Sequence, residues 1–185
     1  MIATYPRIWL SVLLSGLAAT GCHPRDGRTE TRPRELMHTS FEEFVGWGPE
    51  VAPLLATDKA HSGKFSIRVD PQHPYSPTFR AALGKLCPTH RPRRLTLSAW
   101  VWVPSYQDQA VIVAAIANAN DLDHPIFRKN IYLTDIGPLR KWKQVSRDLD
   151  LPPDIRANSQ LIIYLWKSNA NEPVYADDLQ LTELW

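Results

Sequence analysis

Beyond residue 38, apolar and polar residues alternate with a period of two, and runs rich in Val, Ile, Thr, Trp and Tyr are broken by clusters of Pro, Gly, Asn and Asp. This is the pattern of half-buried β-strands separated by turns. The clearest strand is 94–103, where Leu95, Leu97, Ala99, Val101 and Val103 point one way and Thr96, Ser98, Trp100 and Trp102 the other. Pro104, which cannot donate to a ladder, ends it. The same reading predicts strands over 39–45, 64–70, 78–83, 110–118, 126–134, 141–149, 159–167 and 174–182. No segment carries the period of a long amphipathic helix, and no internal repeat is visible. Short strands joined by turns, without intervening helices, predict an all-β fold: a two-sheet antiparallel jelly-roll sandwich.

The start of the chain has a different character. Arg7 precedes an apolar run over 8–19, the size of a signal-peptide core and too short for the roughly twenty residues a bilayer span needs. The run ends in Leu17-Ala18-Ala19-Thr20-Gly21-Cys22, which resembles a bacterial lipobox. That resemblance implies a signal peptide over 1–21, Cys22 lipidated as the first mature residue, and export to the bacterial cell envelope, at the outer membrane or cell surface. The competing reading is an ordinary secretory signal cleaved nearby, with Cys22 a plain thiol. Two or more acyl chains hold a protein on a membrane durably where one does not. Residues 22–37 are rich in Pro, Gly, Thr and alternating charge, and read as a flexible tether. The predicted organisation is therefore signal peptide 1–21, tether 22–37 and one β-sandwich domain over 38–185.

A length of 185 residues with 44% hydrophobic positions suits one domain with a substantial core. The net charge of +2 is made of 21 basic and 19 acidic residues interspersed along the chain, so no field steers it toward nucleic acid. With Cys22 acylated, Cys87 has no disulfide partner and reads as a buried or idle thiol. The basic cluster His90-Arg91-Pro92-Arg93-Arg94 reads as a solvated loop before the central strand, the competing reading being recognition of an acidic glycan or phosphate.

The chain lacks G-x-S-x-G, H-E-x-x-H, Cys-x-x-Cys and a phosphate-cradling glycine loop, and its six histidines are dispersed. Asp177 and Asp178 are neighbours on one strand, so they are expected to point to opposite faces and not to act together as an acid/base pair. The expectation is a protein without an enzyme active site.

In the strand 159–167, Leu161, Ile163 and Leu165 oppose Ile162, Tyr164 and Trp166. If the aliphatic rows of this strand and of 94–103 form the core, then Trp100, Trp102, Tyr164 and Trp166 lie on an outer sheet face. Aromatic faces suit the C–H faces of pyranose rings, with Gln160, Asn118 and Asn130 nearby to hold hydroxyls. The competing reading is that loops such as 120–128 fold over these rings and bury them.

Five segments, in order, carry a resemblance to a known family: Phe41-Glu42 with Trp47, the turn and strand 60–69 (AHSGKFSIRV), Leu97-Ser98-Ala99-Trp100-Val101, Trp142-Lys143-Gln144-Val145, and Tyr175-Ala176-Asp177-Asp178-Leu179. Together they resemble the galactose-binding-like sandwich of several carbohydrate-binding module families. The resemblance implies a non-catalytic module that recognises a polysaccharide or glycoconjugate. The alternative is a structural or protein-interaction lipoprotein of the envelope with no sugar site. It also implies a structural calcium ion held by Glu42, Asp58, Ser62, Asp177 and Asp178, whose hard oxygens suit that ion. Against this stands the reading in which Glu42 and Asp178 are ordinary hydrogen-bonding residues at strand ends.

Overall fold

The computed structural model of the protein describes residues 33–43, 55–135 and 137–184. The expected signal peptide, Cys22 and Trp47 lie outside the described residues.

The strands are β1 (Arg34–Thr39), β2 (Leu55–Ala56), β3 (Ser66–Val69), β4 (Phe79–Ala82), β5 (Arg94–Trp102), β6 (Gln109–Ala117), β7 (Phe127–Tyr132), β8 (Trp142–Asp150), β9 (Gln160–Asn169) and β10 (Val174–Glu183). A four-residue helix, α1 (Leu83–Leu86), follows β4. All the pairings are antiparallel. One sheet runs β2-β3-β10-β5-β8, with β1 also on β10; the other runs β4-β9-β6-β7. This is the two-sheet antiparallel sandwich that the alternation predicts.

Burial follows the pattern from which the strands were read. In β5, Leu95, Leu97, Ala99 and Val101 are buried, with Thr96, Ser98, Trp100 and Trp102 between them only partly so. The inward row of β5 joins Leu161, Ile163 and Leu165 of β9 and Ile112, Ala114 and Ile116 of β6 in one core. β6 departs from simple alternation because every residue from Ala110 to Ala117 is buried. It lies between β9 and β7, so its ladder is complete on both sides, and its outward residues are small enough for their neighbours to cover.

The start of the domain differs from expectation. Residues 34–37, assigned above to the tether, belong to β1, which pairs with β10 from Arg34↔Glu183 to Thr39↔Leu179. Leu36 and Met37 pack against the core, which gives this polar-looking segment a reason to be ordered. The strand expected over 39–45 ends where it was to begin. After Thr39 the chain turns through Phe41, fully buried with φ of 62°. A left-handed phenylalanine is strained by about 1–3 kcal/mol, which insertion of its ring into the core offsets.

β1 and β3 share one edge of β10. β3 pairs with Val174, Tyr175 and Ala176, and β1 with Leu179 to Glu183. Between them the β10 register with β5 shifts, and Asp178 takes φ of 45°. This bulge positions the first of the clusters described next.

Candidate functional site

The four aromatic residues expected to share a face occupy two. Trp100 and Trp102 lie on β5, in the sheet containing β10; Tyr164 and Trp166 lie on β9, in the other sheet. Since both strands turn their aliphatic rows into the same core, the two aromatic pairs point outward on opposite sides of the sandwich. Strand periodicity gives the direction of a side chain relative to its own sheet, and not which sheet the strand joins.

The β5 pair is covered. His61 stacks on Trp100 with ring centroids 3.9 Å apart, and meets Trp142 edge-on at 5.6 Å. Trp102 packs edge-on against Tyr175 at 5.7 Å, and Lys59 Nζ stands 4.2 Å above the Trp102 ring. Asp58 accepts the Tyr175 hydroxyl proton at 2.6 Å and faces Arg68 Nη1 at 3.5 Å. These tryptophans therefore form a seat for the segment between β2 and β3.

The same segment bears on the expected calcium set. The bulge turns both carboxylates toward one turn and not to opposite faces, which corrects the strand-geometry expectation for Asp177 and Asp178. Asp177 is fully buried; its Oδ2 accepts from the backbone N–H of His61 (2.7 Å) and Ser62 (3.1 Å), and its Oδ1 from that of Asp178 (2.7 Å). Burial pushes the Asp177 carboxyl up from its ordinary value, against the pull of these N–H groups. Asp178 accepts from the Ser62 hydroxyl at 2.6 Å and lies 2.5 Å from His61 Nδ1. Glu42 Oε1 accepts from the N–H of Lys64 (2.7 Å) and Phe65 (3.0 Å). Its approach needs Gly63, since a Cβ there would lie 2.3 Å from Glu42 Oε1.

Calcium would require six to eight oxygens around one centre. Here the carboxylate oxygens named accept hydrogen bonds from N–H, hydroxyl or imidazole groups, Asp58 is held by Tyr175 and Arg68, and Glu42, Asp177 and Asp178 do not form a group of three whose oxygens all lie within 4.8 Å. As arranged, the five residues do not fit a calcium cage. They fit a hydrogen-bonded latch that fastens the turn 61–65 to β10 and to the chain after β1.

The β9 pair, partly buried as the β5 pair is, sits beside two exposed tyrosines. Residues directly opposite in an antiparallel ladder share a face. The register therefore places Tyr75, Trp166, Val111 and Tyr132 in one outward row, Tyr164, Val113 and Asn130 in the next, and Arg80, Ile162, Ala115 and Arg128 in the third. Val111 and Val113 have no exposed surface, whereas Tyr75 is 60% and Tyr132 50% exposed. The large rings thus close over small central residues, with Tyr75 and Tyr132 exposed at the two sides. The Tyr75 and Tyr164 ring centroids are 6.1 Å apart. Three strand spacings, roughly 14 Å, separate the Tyr75 and Tyr132 backbones.

At the far end of this face Leu122, from the loop after β6, and Tyr164 pack on the cluster of Ala115, Ala117 and Ile162. The loop-covering reading therefore holds for that end, and the tyrosine end stays open. No strand of this sheet contains an Asp or Glu. Arg80 and Arg128 supply positive charge at its two sides, and Asn130 and Gln160 supply hydrogen-bonding groups. Tyr132 was missed although it alternates with Arg128 and Asn130 in a predicted strand. Tyr75 lies between prolines in a loop, where periodicity carries no signal.

No protein-family model and no curated protein sequence matches the chain. Its fold is similar to solved carbohydrate-binding modules. The CBM22-2 xylan-binding domain from Paenibacillus barcinonensis Xyn10C superposes with a TM-score of 0.54 at 14% identity, covering 80% of this chain and 99% of that one. The C-terminal family 22 carbohydrate-binding module of Clostridium thermocellum Xyn10B gives 0.53 at 15% identity, over 80% of this chain and 92% of that one. A family 16 carbohydrate-binding module gives 0.50 at 16%, over 78% and 96%. At these identities the likeness establishes the β-sandwich fold.

Proposed function

We propose that this protein is a non-catalytic glycan-binding module, tethered to the bacterial envelope through lipidated Cys22, and that its ligand lies on the outer face of the β4-β9-β6-β7 sheet. The observation that carries this reading is the open platform of Tyr75, Tyr132, Tyr164 and Trp166. Its flat rings match the C–H faces of pyranoses, and Asn130, Gln160, Arg80 and Arg128 border it for hydroxyl or carboxylate groups. The fold is similar to that of solved xylan-binding domains, which supports xylan as the first ligand to test.

The absence of carboxylates from the strands of this sheet supports a binding role and not a hydrolytic one. Glycoside hydrolysis generally needs two acidic residues flanking the scissile bond. The test is binding of the full chain in detergent micelles to a panel of immobilised polysaccharides, xylan included, with Tyr132→Ala and Trp166→Ala as comparison. Retention on one polysaccharide class, lost in both variants, is the expected result. A folded protein that binds none of them would move the reading to an envelope protein-interaction module. Anchoring is checked separately: Cys22→Ala should shift the chain from the membrane to the soluble fraction.

A further inference from the structure

At the end of the sandwich away from the 61–65 latch, Glu183 of β10 turns inward. It stands opposite Leu95, itself fully buried, and is 3% exposed. A carboxylate placed in the end of an apolar core is costly unless its charge is matched. Two groups from the segment after α1 meet it: His90 Nε2 lies 2.6 Å from Oε1, and the Cys87 thiol lies 3.5 Å from Oε2. The three ligand atoms lie within 4.8 Å of one another, the sole such group of three or more His, Cys, Asp or Glu among the described residues. His90 Nδ1 faces the Thr89 hydroxyl at 3.1 Å, which directs Nε2 toward Glu183. Beside them a cavity of about 350 Å³ is lined by Cys87, Thr89, His90, Arg91 and Arg156 among others.

We infer that Cys87, His90 and Glu183 form a binding site for a single borderline transition-metal ion, zinc being the best fit. Thiolate, imidazole and carboxylate are the donors of zinc sites, and a sulfur donor disfavours calcium and magnesium. Cys87 and His90 are separated by two residues, so one short turn supplies two ligands, and the last strand supplies the third. Zinc–ligand bonds of about 2.0–2.3 Å give tetrahedral edges of about 3.3–3.8 Å. The Cys87 Sγ–Glu183 Oε2 separation of 3.5 Å is already of that length, while His90 Nε2 meets the other oxygen, Oε1, at 2.6 Å, and the imidazole, 26% exposed on a loop, has to withdraw for one ion to lie between them. Three protein ligands leave the fourth position to water from the cavity. Arg34 donates to the carbonyl of Leu86 at 2.9 Å, beside this group. Burial, and then Glu183, push the Cys87 thiol up to about 12, so in the metal-free protein it is protonated and the ion displaces that proton on binding. Zinc here would staple the end of β10 to the segment leading into β5.

The test is titration of the chelator-stripped full chain with Co²⁺, whose thiolate charge-transfer absorption reports sulfur ligation, followed by displacement with Zn²⁺. One equivalent should develop the band and zinc should abolish it. Cys87→Ser should lose the band, Cys22→Ser should keep it, and His90→Gln should weaken binding at least about a hundredfold, the upper range for losing even an indirect support of a metal ligand. A folded wild-type chain that develops no thiolate band, or a band that survives Cys87→Ser, would overturn the assignment. Should Cys87→Ser fail to fold, His90→Gln decides it, since His90 is a loop residue 26% exposed and glutamine offers Glu183 another hydrogen-bond donor in place of the imidazole.

Discussion

The imidazole of His61 lies flat on the indole of Trp100, with centroids 3.9 Å apart and planes 11° from parallel. Its backbone N–H is held by buried Asp177 and its Nδ1 by Asp178. One turn residue thus joins a tryptophan of β5 to the bulge of β10. Trp100 was expected to offer its face to sugar, and instead offers it to a neighbouring loop.

A clean separation between structural and ligand-binding aromatics follows. Trp100→Ala should lower stability by about 2–4 kcal/mol, as for loss of a large packed ring, while leaving glycan affinity unchanged in protein kept below its midpoint. Tyr75→Ala and Tyr132→Ala should do the reverse. Tyr75 is 60% and Tyr132 50% exposed, so stability should move by no more than about 0.5 kcal/mol, while affinity for the bound polysaccharide should fall about tenfold or more, the scale of an interface anchor. Urea midpoints set beside binding isotherms check both halves. Loss of binding in Trp100→Ala at full foldedness would place the site on the wrong face.

The platform's charges make a prediction about ligand chemistry. Arg80 and Arg128 lie in one outward row on either side of Ile162 and Ala115, in a sheet whose strands carry no acidic residue. Glycans bearing uronate groups should therefore bind more tightly than neutral ones of the same backbone. The difference should shrink between low salt and about 1 M, where screening acts within about 3 Å. Arg128→Gln should remove most of the salt dependence and spare neutral-glycan binding. Equal affinity for charged and neutral forms at low salt would show that the arginines do not face the ligand.

Much of this fold was legible because alternation and turn chemistry agree along most strands. β3 to β10 all fall within or beside the predicted segments, since each buries one face against a single core. β1 was hidden because its sequence, Arg-Glu-Leu-Met-His-Thr, looks like tether, and its order comes from pairing with a strand some 140 residues later, Thr39 meeting Leu179. The candidate site was half legible. The period of two turns Tyr164 and Trp166 outward from β9, whereas the separation of the two tryptophans of β5 from them depends on sheet assignment. The left-handed Asp178, which brings two adjacent carboxylates to one turn, leaves no trace in a period of two.

Asp108 offers a test of pH dependence. It is 3% exposed and lies between β5 and β6, where it takes the Ser105 hydroxyl at 2.5 Å and the backbone N–H groups of Asn171 and Glu172, both at 2.8 Å, from the β9–β10 turn. Burial alone would raise its pKa, but these three donors together outweigh it and hold the carboxyl below its ordinary value. A folded-state pKa below the unfolded one means the unfolded chain binds more protons as the medium is acidified. The stabilisation is therefore present above the ordinary carboxylate value and is lost as pH falls through the folded one. Asp108→Asn should cost about 1–3 kcal/mol at pH 7, and the gap from wild type should narrow below about pH 4. Parallel curves down to pH 2 would mean the loss is one of shape and not of charge.

Among the described residues, Lys143 carries a buried side-chain nitrogen without a hydrogen-bond partner. It lies on β8 opposite Val101 and is 5% exposed. Burial lowers its pKa, so the folded chain binds this proton less tightly than the unfolded one. In that range the unfolded state carries more protons, so stability rises with pH until the unfolded lysine itself titrates near pH 10.4. Lys143→Met keeps the length and apolar character of the stem and removes the unpaired nitrogen. It should stabilise the protein by about 1–3 kcal/mol at pH 7, the cost of an unsatisfied buried polar group, and the advantage should fade by pH 10. Denaturant midpoints of the two proteins at pH 7 and pH 10 measure this directly. A variant less stable than wild type at both would mean that the amine has a partner in solution, and that β8 holds it charged.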